Sequence, residues 1–269
     1  MTTSDAIIII PARYASSRFP GKPLVELSGR KSILRTLDAA RAVVDNAQIY
    51  LATDDQRIAE LVAGEGGQVV MTSEACRNGT ERVAEAAVQL GLADDQLVVN
   101  LQGDAPLTPP WFISAVIAQI QRLPAANMVT PVLPCDEASY RRFREDRLNG
   151  RVGATTCVMS TSGRAIYFSK EVVPYLSDAD ELAETQVFHH VGLYAYRVGA
   201  LKKYTGWPLG PIERAEGLEQ LRFIENDLDV HTVIVQDRGH QFWELNNPED
   251  VAVIERMIKE NEALGSTEA

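Results

Sequence analysis

The three cysteines, Cys76, Cys135 and Cys157, are odd in number, far apart and form no CxxC pair. They suggest neither a disulfide framework nor a zinc site, and they read as reduced thiols of a cytoplasmic protein. Long apolar runs are also missing. Ile7–Ile10 spans four residues, whereas a membrane-spanning helix needs about 20, and the first residues lack the basic region that opens a secretion signal. Positive charge is scarce, with 26 Lys and Arg against 37 Asp and Glu and a formal net charge of -11. That balance argues against nucleic acid or an anionic membrane as the main partner. No GxGxxG, Walker A, GxSxG or HExxH pattern occurs, which weakens dehydrogenase, P-loop and hydrolase readings. There is no internal repeat and no low-complexity tract.

The chain does have 45% apolar residues over a length of 269, enough for a real α/β core. Within this acidic chain lies a basic island: Pro11 to Arg35 holds six Lys/Arg and one acid, Glu26. Its start, IIPARYASSRFPGKPL (9–24), opens on a buried-looking strand over 7–10 that is expected to break at Pro11. The loop beyond carries Arg13, Arg18 and Lys22 among small residues. Cations on a loop straight after a first strand suggest a polyanion held at the carboxyl end of a sheet, where open α/β folds bind ligands. Arg offers phosphate oxygens a planar fork, and Lys a mobile point charge. A solvated basic loop is the alternative.

Strand and helix patterns alternate through the first half. Apolar spacing predicts helices over 31–45, 55–65, 79–90 and 110–122, and strands over 48–53, 68–71, 97–101 and 128–133. Such alternation implies a mainly parallel sheet with helices on both faces. After about residue 134 the rhythm changes. Residues 152–159 and 164–169 read as a hairpin across Ser160–Gly163, and 187–197 as one long strand. A helix over 211–224 begins at Pro211, and strand 229–235 and helix 248–262 close the chain. No Pro/Gly/Ser linker divides it, so residues 1–269 read as a single domain. A β-rich subregion inserted over about 150–205 is suited to an oligomer contact.

Four groups could carry chemistry. Asp104, on the Gly-assisted turn Gln102-Gly103-Asp104 after an apolar strand, is placed to hold Mg²⁺ against a triphosphate; a turn Asp bonding its own backbone is the alternative. Asn78-Gly79-Thr80 at a helix start could read a nucleobase edge or be an ordinary cap. His189 and His190 are neighbours in a strand, so at most one points into a given pocket. Glu219-Gln220 would lie on a solvated helix face. The DxD spacings Asp178/Asp180 and Asp227/Asp229 follow no sheet strand and are treated as accidental.

In this order the segments resemble the 3-deoxy-manno-octulosonate (Kdo) cytidylyltransferases. Beyond residues 9–24, the matching pieces are ATDD (52–55), NGTERVAE (78–85), VVNLQGDAP (98–106), AIYFSK (165–170), HVGLYAYR (190–197), LEQLR (218–222) and NPEDV (247–251). The resemblance implies a nucleotide-diphospho-sugar transferase (Rossmann-like) fold, CTP and Mg²⁺ as co-reactants, a small sugar acid as acceptor, and a homodimer. By position, Arg13, Arg18 and Lys22 would hold the triphosphate, and Ala12, Gly79 and Thr80 would line the cytosine site. Asp104 and Asn246 would bind Mg²⁺, with Arg13, Lys22 and Asp104 as the catalytic set. Gln102, Lys170, His190, Tyr194, Glu219 and Gln220 would line the sugar-acid pocket.

The chain departs from the family at four of these positions. A usual Glu after QGD is Ala105, a usual Lys before the hairpin turn is Thr156, and the Arg of the AxYFSR segment is Lys170. The second metal-binding Asp is Asn246, which leaves the expected metal site one negative charge poorer. Lys170 gives up a bidentate grip on a carboxylate. Two other readings stay open: a sister enzyme acting on an amino-modified Kdo or a phosphonate, and a non-catalytic CTP-binding relative.

Overall fold

The computed structural model describes residues 6–16, 18–151, 154–177, 182 and 186–265. At its centre is β1 (Ile7–Ala12), buried along nearly its whole length. A strand covered on both faces reads as a continuous apolar run, and successive side chains alternate between the faces. Ile8 and Ile10 join one core cluster, and Ile9 the other. The strand does not break at Pro11 but continues to Ala12, paired with Thr53. The Pro11 carbonyl accepts from Gly103 N–H on the far side. The Pro11 nitrogen therefore faces that side too, and the ladder toward residues 49–53 loses no bond.

The first half follows the alternating pattern. A small hairpin, β2 (Glu26–Leu27) and β3 (Arg30–Lys31), precedes α1 (Ser32–Arg41). Then come β4 (Ile49–Thr53), α2 (Gln56–Gly64), β5 (Gln68–Met71), α3 (Gly79–Gln89), β6 (Leu97–Leu101), α4 (Pro110–Arg122) and β7 (Met128–Pro134). Strands β5, β4, β1 and β6 pair in parallel. The core residues of α1, α2 and α4 pack on one face and those of α3 on the other, so this is an α/β sheet with helices on both sides.

After β7 the chain forms α5 (Glu137–Leu148), a helix absent from the sequence reading. Next come β8 (Thr156–Met159), β9 (Ala165–Ser169), β10 (Phe188–His190), β11 (Leu193–Arg197) and α6 (Val198–Gly206). The hairpin β8–β9 and β10 extend the sheet beyond β7, whereas β11 inserts antiparallel between β6 and β7. The expected long strand 187–197 is thus two strands, interrupted at Val191-Gly192, where the chain leaves β8 for β6. The expected helix 211–224 is likewise two, α7 (Pro211–Glu216) and α8 (Leu221–Glu225). It breaks because Gly217 adopts φ 63°, the left-handed geometry of a helix stop. β12 (Val230–Ile234) pairs in parallel with β7, and α9 (Asp250–Gly265) closes the fold. The Asp178/Asp180 pair lies outside the described residues.

Candidate active site

The carboxyl ends of β1 and β6 open on a cleft of about 1290 Å³. On its cationic side, the loop after β1 folds back as Gly21, at φ 75°, donates its N–H to the Tyr14 carbonyl at 2.9 Å. Pro23 then enters a short 3-10 turn, Lys22–Leu24. Lys22 Nζ donates to Asp104 Oδ2 at 2.5 Å across the gap between the two loops. Gly103 permits this approach, since a Cβ there would sit 2.6 Å from the Pro11 carbonyl oxygen. Ala12 and the exposed Arg13 line the same side.

A third wall comes from the segment before α9. Leu245 is fully buried with Leu27, Ile254 and Ile258, while Glu244 and Asn246 on either side of it line the cleft. Leu245 N–H donates to the Asp104 carbonyl at 2.7 Å, tying this segment to the turn after β6. Asp250 accepts from the N–H groups of Asn246 and Asn247 at 2.8 and 2.6 Å. Arg18 Nη2 donates to Asn246 Oδ1 at 2.9 Å, and Asn246 Nδ2 to Glu244 Oε2 at 3.3 Å. Asp104, Asn246 and Glu244 therefore offer the oxygen donors that suit Mg²⁺.

The opposite side of the cleft carries one cation, Lys170, and is otherwise mostly uncharged and more deeply buried. Glu219 and Gln220 do not lie on a solvated helix face, because the break at Gly217 turns them inward, and Gln220 is 2% exposed. Glu219 Oε2 accepts from Thr80 N–H at 3.1 Å and its Oε1 from Gln102 Nε2 at 3.4 Å. Tyr194 OH donates to Gln220 Oε1 at 3.3 Å. The Gln220 amide nitrogen is buried and has no hydrogen-bond partner among the described residues. Lys170 is held through its backbone N–H by Glu216 at 2.9 Å, and its ammonium makes no ion pair among the described residues.

Both histidines border the cleft, although only one was expected to reach a given pocket. His190 is buried, with Nε2 2.9 Å from Thr130 Oγ1. His189 stacks on Phe242. The pocket is wide enough to wrap around the end of β10 and meet both faces of the strand.

Thr80 is the site residue the structure places elsewhere. It is fully buried and absent from the cleft lining; its hydroxyl lies 3.0 Å from Tyr196 OH, and its N–H is taken by Glu219. With both groups occupied, it supports Glu219 from behind. Gly79 does line the cleft, against Gln102. At the departure Thr156, the buried side chain's hydroxyl donates to the Glu171 carbonyl; nothing in the structure explains Ala105.

Burial sets the protonation of the mostly uncharged side. It pushes the Glu219 carboxyl up to about 7, opposed by the Thr80 N–H. Burial also holds His190 down at about 3 and His189 at about 4, and raises the Tyr194 phenol well above its ordinary range. Glu244 is pushed up to about 7, first by loss of hydration and then by the Asp104 charge, against the pull of Asn246, Lys22 and Arg18. Its side chain is open to the cleft but enclosed by protein elsewhere, so it is hydrated less fully than on an open surface.

Two features of this cleft were missed in the sequence. Glu244 carries no motif around it, and its only signal is its place two residues before Asn246. α5 brings Arg142 to the cleft beside Trp243, with the guanidinium carbon 5.9 Å from the ring centre. That helix is so polar that only Tyr140 and Phe143 are buried.

Comparison with known proteins agrees with this arrangement. A family model described as cytidylyltransferase matches residues 7–230. The 3-deoxy-manno-octulosonate cytidylyltransferase of Maricaulis maris is 42% identical over 254 residues, covering 94% of this chain and 97% of its own. The protein of the same name from Nitratidesulfovibrio vulgaris is 38% identical over 255 residues, covering 94% and 96%. A solved structure of CMP:2-keto-3-deoxy-manno-octonic acid synthetase complexed with CTP superposes with a TM-score of 0.82 at 30% identity, covering 96% of this chain and 100% of that one. Similarity of this extent along nearly the whole length leads to one conclusion: this chain belongs to the 3-deoxy-manno-octulosonate cytidylyltransferase family.

Proposed function

We propose that this enzyme transfers CMP from CTP to the anomeric hydroxyl of Kdo and releases pyrophosphate. One observation carries the reading: a single cleft joins the Arg13/Arg18/Lys22 loop and Asp104 to a buried wall of Gln102, Lys170, His190, Tyr194, Glu219 and Gln220. The first group suits a triphosphate; the second suits a small polyhydroxy acid.

In the reaction, the acceptor hydroxyl oxygen forms a bond to the α-phosphorus, the bond to the β-phosphate oxygen breaks, and the hydroxyl proton passes to solvent. Arg13, Arg18 and Lys22 neutralise the triphosphate and the leaving pyrophosphate. Before CTP arrives, Lys22 and Arg18 are occupied by Asp104 and Asn246; phosphate oxygens would compete for them and free the side-chain oxygens of Asp104 and Asn246. Those oxygens would hold Mg²⁺, which when bound supplies charge neutralisation and lowers the pKa of the attacking hydroxyl. Gln220 offers its free amide N–H₂ to an acceptor oxygen, and the Lys170 ammonium pairs with the acid's carboxylate. His190, neutral at physiological pH, orients through Thr130 rather than by charge.

The reading extends to a cytoplasmic homodimer, with contact through the β8–β9 extension. Support comes from Ile166, 52% exposed, and Tyr175, 84% exposed, in and just after that hairpin. Incubation with CTP, Mg²⁺ and a panel of Kdo, amino-modified Kdo and a phosphonate, followed by mass analysis of the products, tests the acceptor. A CMP ester of Kdo as the main product is expected. A product formed only from another acid would transfer the reading to a sister enzyme, and CTP binding with no product from any acid would leave a non-catalytic relative.

A further inference from the structure

The loss of a carboxylate at Asn246 implied a metal site poorer by one charge. The structure shows a second carboxylate in the same wall. Glu244 lies two residues before Asn246, both line the cleft while Leu245 between them is buried, and the Glu244 Oε2 is 3.3 Å from the Asn246 amide nitrogen. The segment is fixed by Leu245 N–H on the Asp104 carbonyl and by Asp250 on the next two N–H groups. Glu244 and Asn246 thus meet Asp104 on one face of the cleft, opposite the Arg18 and Lys22 cations.

We infer that Glu244 replaces the carboxylate missing at Asn246, so that the divalent cation of this enzyme is held by Asp104 and Glu244 with the Asn246 amide oxygen beside them. The inference rests on the Mg²⁺-dependent reading above. Two carboxylates and an amide oxygen match the small number of protein oxygens that Mg²⁺ accepts, the remaining positions being left to phosphate and water. Glu244 also reaches past the metal end. A Cβ added to Gly192 would lie 3.2 Å from Glu244 Oε1 and 4.0 Å from Gln102 Cγ. The carboxylate therefore stands where the triphosphate and acceptor sides meet, beside the point at which the chain passes from β10 to β11. A side chain at Gly192 would press on it.

The test is a Mn²⁺ titration followed by electron paramagnetic resonance, on the full-length protein alone and with CTP but no acceptor. It compares the wild type with Glu244→Gln, Asp104→Asn and the double variant Glu244→Gln/Asn246→Asp. Glu244→Gln is expected to weaken Mn²⁺ binding by about tenfold or more, because the charge count of the ligands tunes cation affinity. Moving the carboxylate back in the double variant is expected to restore most of the loss, a recovery that general damage to the cleft would not give. CTP binding without metal serves as the folding control. If Glu244→Gln titrates like the wild type while Asp104→Asn loses binding, the Glu244 assignment is overturned and the metal reading stands. If neither variant changes the titration, both are overturned.

Discussion

At the cationic end of the cleft, cations meet partners from another loop at contact distance, Lys22 with Asp104 and Arg18 with Asn246, and Arg13 is exposed. At the acceptor end they are buried and mostly neutral, with Gln220 2% and His190 6% exposed and Glu219 carrying a carboxyl pushed up to about 7. The first end acts through charge, which reaches across a gap and tolerates small displacements. The second acts through hydrogen bonds, which do not. It is therefore built on strands and on a helix break locked by Thr80, Tyr196 and Glu216. An enzyme that grips a flexible polyanion and selects one acid needs both kinds of wall; here the three cations come from the loop after β1, and Lys170, His190, Tyr194, Glu219 and Gln220 from the second half of the chain.

Three substitutions sharpen that contrast. The largest effect is expected for Asp104→Asn, at the meeting point of Lys22 and the proposed metal donors. Turnover should fall by about 10²–10³-fold or more, with an unchanged circular dichroism spectrum; retained turnover would remove Asp104 from the chemistry. Lys22→Ala should act on one substrate only. It should raise KM for CTP by about 10–100-fold, the range for a lost hydrogen bond to a charged group, and leave KM for the sugar acid near its wild-type value in steady-state kinetics. An equal rise in both would mean the two ends are not separable.

The smallest effect concerns stability. A Glu219 carboxyl at about 7 in the folded protein lies above the ordinary 4.5. A raised pKa means that this group's contribution to stability is fully present below pH 4.5 and is lost as pH rises through about 7. The Tm of Glu219→Gln relative to the wild type should therefore climb between pH 5 and pH 8 and level off above. Parallel melting curves across that range would show that the carboxyl is hydrated after all.

The cationic end was also the more legible in the sequence. Arg13, Arg18 and Lys22 follow the first strand directly, and Asp104 follows a strand and a glycine, so once β1 and β6 pair in parallel their loops emerge at the same sheet edge. The alternating first half gave its strands and helices within a few residues for the same reason: local periodicity and local burial agree. Where tertiary contacts overrode local pattern, the reading failed. Helical spacing ran straight through Gly217 and hid the inward turn of Glu219 and Gln220. Val191-Gly192 sits inside a stretch, 187–197, that reads as one strand, and only the change of pairing partner from β8 to β6 divides it. Thr80 looked like a cap that could read a base, until both of its polar groups proved to be occupied. Glu244 sits in a stretch with no regular secondary structure, and only the burial of Leu245 shows which way it faces.

The most direct measurement is pyrophosphate release by the purified protein with CTP, Mg²⁺ and Kdo, with UTP in a parallel reaction. Rapid release with CTP and Kdo together, little with UTP and none without the sugar acid, is the predicted result. CTP binding with no pyrophosphate released in the presence of Kdo would contradict it.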